Sequence, residues 1–199
     1  MPTQNDRSTE GVIEDKMPAK KLDRRIIRSK SLLFNALIKL MRKKDYQDIS
    51  VKDLADAADI SRPTFYRIYK SIDDILIEEM DLHFDEYFVS IEKDIIIGNY
   101  KNAADKLFKV WRKNKTLFDA MQKAGIIYKA ADRFDEYALR IKRLTAKDGE
   151  LAIDSTYAIH FFAGGTYMVL KKWQQSDMKT PVNDLVDLLA TNFEFLSLA

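Results

Sequence analysis

The residues best equipped to grip another molecule lie in one short run, Ser61-Arg62-Pro63-Thr64-Phe65-Tyr66-Arg67-Ile68-Tyr69-Lys70. An arginine can hold a guanine edge through two parallel N–H groups, and a threonine methyl or proline ring can rest on a thymine methyl. Tyrosine hydroxyls, lysines and free amides suit phosphate oxygens. Ser61 is a good N-cap, and Pro63 falls in the first helical turn, where its missing N–H costs nothing. Just upstream, Ser50 caps a two-turn helix over 51–58, and Asp59-Ile60 makes a short break. Two short helices across a tight turn have the form of a helix-turn-helix. Leu54, Ala55, Ala58, Ile60 and Phe65 can lock the pair together, which leaves Arg62, Thr64, Tyr66 and Arg67 facing outward.

Other elements must hold that pair in place. From about Lys21 to Lys44, Ile26, Leu33, Leu37, Leu40 and Met41 recur at three- and four-residue steps, the mark of an amphipathic helix. Its first turns carry Lys20, Lys21, Arg24, Arg25, Arg28 and Lys30. Cations there oppose the helix dipole, which is tolerable if they face phosphate. The charge balance agrees. Through Lys70 there are 16 Lys+Arg against 10 Asp+Glu, while the remainder holds 17 against 21. A basic amino-terminal third on an acidic body suits a polyanionic partner.

The run ISVKDLADAADISRPTFYRIYKSIDDIL resembles the DNA-binding signature of the TetR/AcrR family of transcriptional regulators. Leu54-Ala55, Ala58, Ile60-Ser61, Thr64-Phe65-Tyr66, Tyr69 and Leu76 carry the likeness, which extends over about residues 24–80. His160-Phe161-Phe162-Ala163-Gly164-Gly165 with Trp173 is similar to the penultimate helix of the dihydroxyacetone-kinase regulator subgroup. The resemblance implies that Lys52 touches DNA from the second helix. It places Arg62, Pro63, Thr64 and Arg67 on bases or their flanks, Tyr66 on a phosphate and Phe65 in the core. Together with Arg24, Arg25, Arg28, Ser50, Ser61 and Lys70, these make the candidate DNA contacts. Three positions depart from the family habit. Asp59 stands for a turn glycine, Ile68 for a His or Tyr, and Ile72 for a Lys whose phosphate contact Lys70 would supply.

Beyond the reader, helices are expected at 72–97, 100–112, 114–123, 126–145, 151–175 and 182–197, with breaks at Asn99, Lys147-Asp148-Gly149 and Ser176–Pro181. In the sixth of the nine resulting helices and its neighbours, Phe108, Trp111, Phe118, Met121, Tyr128, Phe134 and Tyr137 form aromatic or soft stripes. Such stripes build a core, and some could line a cavity for a small apolar or aromatic effector. Near the C-terminus, Ile153, Tyr157, Phe161, Gly164 and Met168 share one helix face, while Phe162, Val169 and Trp173 lie on another. Gly165 extends the small-residue stretch, and the last helix adds Leu185, Leu189, Phe193 and Leu196. One face for the core and one for a partner points to a four-helix dimer interface, with a larger monomer core as the competing explanation.

The chain has no Cys, which excludes disulfides, thiolate metal sites and a cysteine nucleophile. Neither a P-loop nor GxGxxG nor GxSxG is present. His83 and His160 stand apart and lack companion ligands, so no catalytic residue, metal or cofactor is expected. There is no apolar signal region and no stretch of membrane-spanning length, so a cytoplasmic protein without a membrane partner is expected. The expected fold is all-α, with a tail over 1–19, a helix-turn-helix domain over 20–70 and a helical effector and dimerisation domain over 71–199. The expected function is that of a homodimeric repressor on a palindromic duplex operator, released by a small molecule. The alternative is a DNA-bound adaptor or activator whose second half binds a protein.

Overall fold

The computed structural model describes residues 24–145 and 153–198, without side chains at 144–156, at 159 and from 192 onward. The expected tail over 1–19, Lys20, Lys21 and the break at Lys147-Asp148-Gly149 lie outside the described residues. The described chain is helical, without a strand: α1 (Arg24–Leu40), α2 (Val51–Ala58), α3 (Arg62–Ile68), α4 (Asp73–Ile96), α5 (Tyr100–Lys113), α6 (Lys115–Lys123), α7 (Lys129–Thr145), α8 (Ile153–Gln175) and α9 (Val182–Leu198). The all-α expectation holds.

Local chemistry sets the boundaries of α2. Ser50 and Asp53 form a reciprocal capping box: Ser50 Oγ accepts from the Asp53 amide, and Asp53 Oδ2 accepts from the Ser50 amide at 2.9 Å. At the other end Asp59 takes the left-handed conformation (φ 54°, ψ 48°), and the Ile60 amide donates to Ala55 O. That is the geometry a glycine usually supplies, and a short polar side chain tolerates it. Gly125 (φ 74°) performs the same task after α6, where the Ile126 amide reaches Met121 O. Ile126–Tyr128 consequently form a turn, and α7 starts at Lys129 rather than at 126. The first helix also stops short, at Leu40 rather than Lys44. Its continuation tightens into turns, and the Lys44 ammonium is drawn to Asp48 O and Asp53 Oδ2.

Leu33 and Leu37 of α1, Leu54 of α2, Phe65 of α3 and Ile75 and Leu76 of α4 pack into a sealed reader core. The same buried cluster continues down α4 into the body through Met80, Phe84, Phe88 and Ile91. There the aromatics interlock. Trp111 stacks on Phe118 at 3.8 Å between centroids, Phe88 on Tyr137 at 4.9 Å, and Phe84 meets Phe134 edge-on at 5.1 Å. A buried polar chain crosses this core: Trp111 Nε1 donates to Gln174 Oε1, and Gln174 Nε2 donates to Asp119. It ties α5, α8 and α6 together.

Among the described residues, three carboxyls are held below the ordinary range. The Ser50 hydroxyl, then Lys44, depresses Asp53; the Lys106 ammonium, then Asn102, depresses Asp94. Partial burial opposes the shift at Asp74, but the amides of Ser71 and Lys70 outweigh it. Groups depressed on folding stabilise fully above the unfolded value, near 3.8, and lose that contribution as pH falls through the folded value. Urea midpoints should therefore hold near neutrality and fall below about pH 4. Asp53→Asn should lower the neutral midpoint and flatten the acid limb. An acid limb as steep as that of the wild type would refute the assignment.

Candidate nucleic-acid interface

The second short helix, α3, is fixed by what it buries. Phe65 is fully enclosed, and Tyr69 at its C-cap is nearly so. Because Phe65 points inward, Arg62, Pro63, Tyr66 and Arg67 are exposed, with Tyr66 60% accessible and edge-on to Phe65. Arg62 and Arg67 make no ion pair within the described residues, so both guanidinium forks are available. Thr64 is half-buried: its hydroxyl lies 2.9 Å from the Ser61 hydroxyl, while Ser61 Oγ accepts from the Thr64 amide. The Thr64 hydroxyl is therefore engaged within the cap.

The expected phosphate contacts divide. Arg24, Arg25 and Arg28 are exposed on the first turns of α1, and Ser50, Lys52, Ser61 and Lys70 are exposed around α2 and α3. The Lys70 amide donates to Asp74 at 2.8 Å, anchoring the turn into α4 while the side chain stays outside. Lys30 behaves differently from the other basic residues of α1. Its ammonium pairs with Glu78 of α4 and sits 5.8 Å over the Tyr69 ring. It is a strut between reader and body. Tyr69 completes the junction by donating to the other Glu78 oxygen at 2.6 Å, and the Tyr46 hydroxyl donates to Asp73. Burial together with these carboxylates pushes both phenols well above their usual range, so both stay protonated donors. No motif in the sequence announces this cluster, because its partners are up to 48 residues apart.

In the body, Phe108, Trp111, Phe118, Met121 and Tyr137 are buried, whereas Tyr128 is 54% exposed. On α8, Tyr157, Phe161 and Met168 are 72%, 81% and 56% exposed, on one face with Gly164 and Gly165. Phe162 and Trp173 are buried on the opposite face. Leu185 is half-buried, and Leu189, expected at the interface, packs into the core instead; Leu188 is the exposed neighbour. The side chains of Phe193 and Leu196 lie outside the described residues. His83 lies near Glu79 and Glu86, and His160 contacts Asp135. No helix among the described residues is long and apolar enough to cross a membrane.

Residues 33–78 match the family model described as bacterial regulatory proteins, tetR family. Among solved structures, Lin0861 from Listeria innocua is 27% identical, with 88% of this chain and 94% of that chain covered and a TM-score of 0.69. A TetR transcriptional regulator from Streptococcus agalactiae 2603V is 23% identical over 85% and 95% of the two chains, with a TM-score of 0.60. The dihydroxyacetone kinase operon activator DhaS shares the fold at 15% identity, covering 84% and 94%, with a TM-score of 0.56. No curated protein matches the chain. The chain thus carries, on an all-helical body, the amino-terminal DNA-binding domain of the tetR family of bacterial regulatory proteins.

Proposed function

We propose that this DNA-binding regulator acts as a homodimeric repressor on an inverted-repeat operator and is released by a small apolar or aromatic effector. The division into a reader over 20–70 and a body over 71–199 belongs to the same reading. One observation carries it: a helix locked by Phe65 presents Arg62, Tyr66 and Arg67 outward without competing ion pairs among the described residues. Sequence would be read by the two arginines, while Arg24, Arg25, Arg28, Lys52, Tyr66 and Lys70 hold backbone. The exposed stripe of Tyr157, Phe161, Gly164 and Met168 supports association through α8 and α9, since a monomer would leave that apolar face wet. The aromatic core between α4 and α8 supports an apolar effector.

The alternative is an adaptor or activator that holds a protein. It is favoured by Leu82, Val89 and Ile96, exposed at seven-residue intervals along α4.

Selection of bound duplexes from a random pool should return an inverted repeat with half-site centres about 34–36 Å apart. Arg62→Ala or Arg67→Ala should cost about 1–3 kcal/mol and relax preference at one position per half-site. Equal losses on selected and random DNA for both variants would show that neither reads bases. Arg28→Ala and Lys52→Ala should each lower the slope of log affinity against log salt by about 0.9. Lys30→Ala should lower the melting temperature and leave that slope unchanged; a reduced slope would show that Lys30 also serves the phosphates.

The dimer is tested at Gly164, where an added Cβ meets nothing within 4 Å. Gly164→Leu should leave the protomer folded by circular dichroism and give monomers in sedimentation, with operator binding lost. A wild type that sediments as a monomer at micromolar concentration would overturn the arrangement.

A further inference from the structure

A cavity of about 20 Å³, enough for a single water, lies between α4, α5, α7 and α8. Phe84, Leu107, Phe134, Ile141 and Phe162 give it an almost wholly apolar wall. Two tyrosines also line it, but both hydroxyls are engaged elsewhere: Tyr87 donates to Ala103 O at 3.1 Å, and Tyr137 donates to Asp85 at 2.6 Å. That leaves Thr166. It is 2% exposed, it lines the cavity, and its Oγ1 has no hydrogen-bond partner among the described residues. A buried water needs two to four polar partners, and this wall offers one. The site is therefore poor for water, and the hydroxyl is held at a cost that valine, its isostere, would not incur.

The side of the cavity formed by α7 is fastened at its rim. Arg133 donates twice to Asp81, at 2.7 and 2.6 Å, Tyr137 binds Asp85, and the Arg140 guanidinium lies 4.0 Å from the Phe88 ring centroid. These contacts join successive turns of α7 to successive turns of α4. Because the rim is polar and half-exposed, water can replace its hydrogen bonds when the helices part. Both arginines are committed there and no cation is among the described residues lining the cavity, so a charged ligand would be desolvated without compensation.

Resting on the effector reading above, we propose that the effector is a small, flat, uncharged and mostly apolar molecule with one hydrogen-bond acceptor. It enlarges this cavity as α7 lifts from α4, and its acceptor receives a hydrogen bond from the Thr166 hydroxyl. Thr166 thereby selects an acceptor-bearing ligand over a plain hydrocarbon of the same shape.

The test uses the full chain and three probes: acetophenone, cumene and benzoate, titrated by calorimetry. Acetophenone should bind about tenfold tighter than cumene, and benzoate should not bind. Thr166→Val should bring acetophenone to the level of cumene and raise the melting temperature of the ligand-free protein; Thr166→Ser should keep the preference. Asp81→Asn, which weakens the rim, should tighten acetophenone several-fold, because less of the binding free energy is spent on opening. The proposal is overturned if no probe binds, if Thr166→Val binds acetophenone as wild type does, or if that variant melts lower. Weaker binding to Asp81→Asn overturns the route between α4 and α7. Duplex selection on the same preparations separates the two readings. DNA bound without a Thr166-dependent probe defeats the effector assignment alone, whereas a Thr166-dependent probe without DNA binding defeats the regulator reading and keeps the site.

Discussion

The Glu78 carboxylate is the point on which the arrangement of reader and body depends. One oxygen holds the Lys30 ammonium from α1, and the other accepts from the Tyr69 hydroxyl at the end of α3. Both flanks of the helix-turn-helix are thus tied to the second turn of α4, which continues without a break into the body. The charges are only partly accessible, at 26% and 36%, so the pair escapes some of the screening that leaves a fully exposed ion pair worth about 0–1 kcal/mol. Tyr46 adds a third tie through Asp73. A tilt of α4 would carry Arg62, Tyr66 and Arg67 with it, because the shared carboxylate leaves the recognition helix little freedom to lag behind.

Most of this framework was legible because it is local. Helix starts followed from Ser50, Ser61 and Asn99, and the tolerance of Asp59 for a left-handed turn followed from its short polar side chain. The α8 pattern correctly separated Phe162 and Trp173 from Phe161 and Met168, since a 3.6-residue period sorts residues into faces. It does not say which residues at a face's margin turn inward, which is why Leu189 went to the core and Leu188 did not. The ion pair of Lys30 is illegible for a different reason. A run of cations suggests one common partner, while the carboxylate that captures this one lies in another helix. The helix ends at Leu40 and Lys129 are less legible, because no residue type marks the tightened turn after Leu40 and Gly125 caps α6 through its positive φ alone.

The body shows how a chain with six glycines and no cysteine makes a tight interior: its aromatic rings interlock instead. Phe84 touches Phe118, Phe134 and Tyr137, so one residue on the helix leaving the reader contacts both α6 and α7. Interiors packed at this density shift between discrete arrangements rather than deforming smoothly. Motion of α7 against α4 would be felt at Phe84, two turns below Glu78 along the same helix.

Gly164 and Gly165 have a consequence for the molecule in dilute solution. Glycine inside a helix gives up about 1 kcal/mol relative to alanine, and no close approach among the described residues accounts for either position. If a partner helix fills that space, folding and association become linked by mass action, and resistance to unfolding grows with the protein's own concentration. Scarce chains would then be the most vulnerable to proteolysis and abundant ones the most durable, so the amount of regulator would help determine its own lifetime.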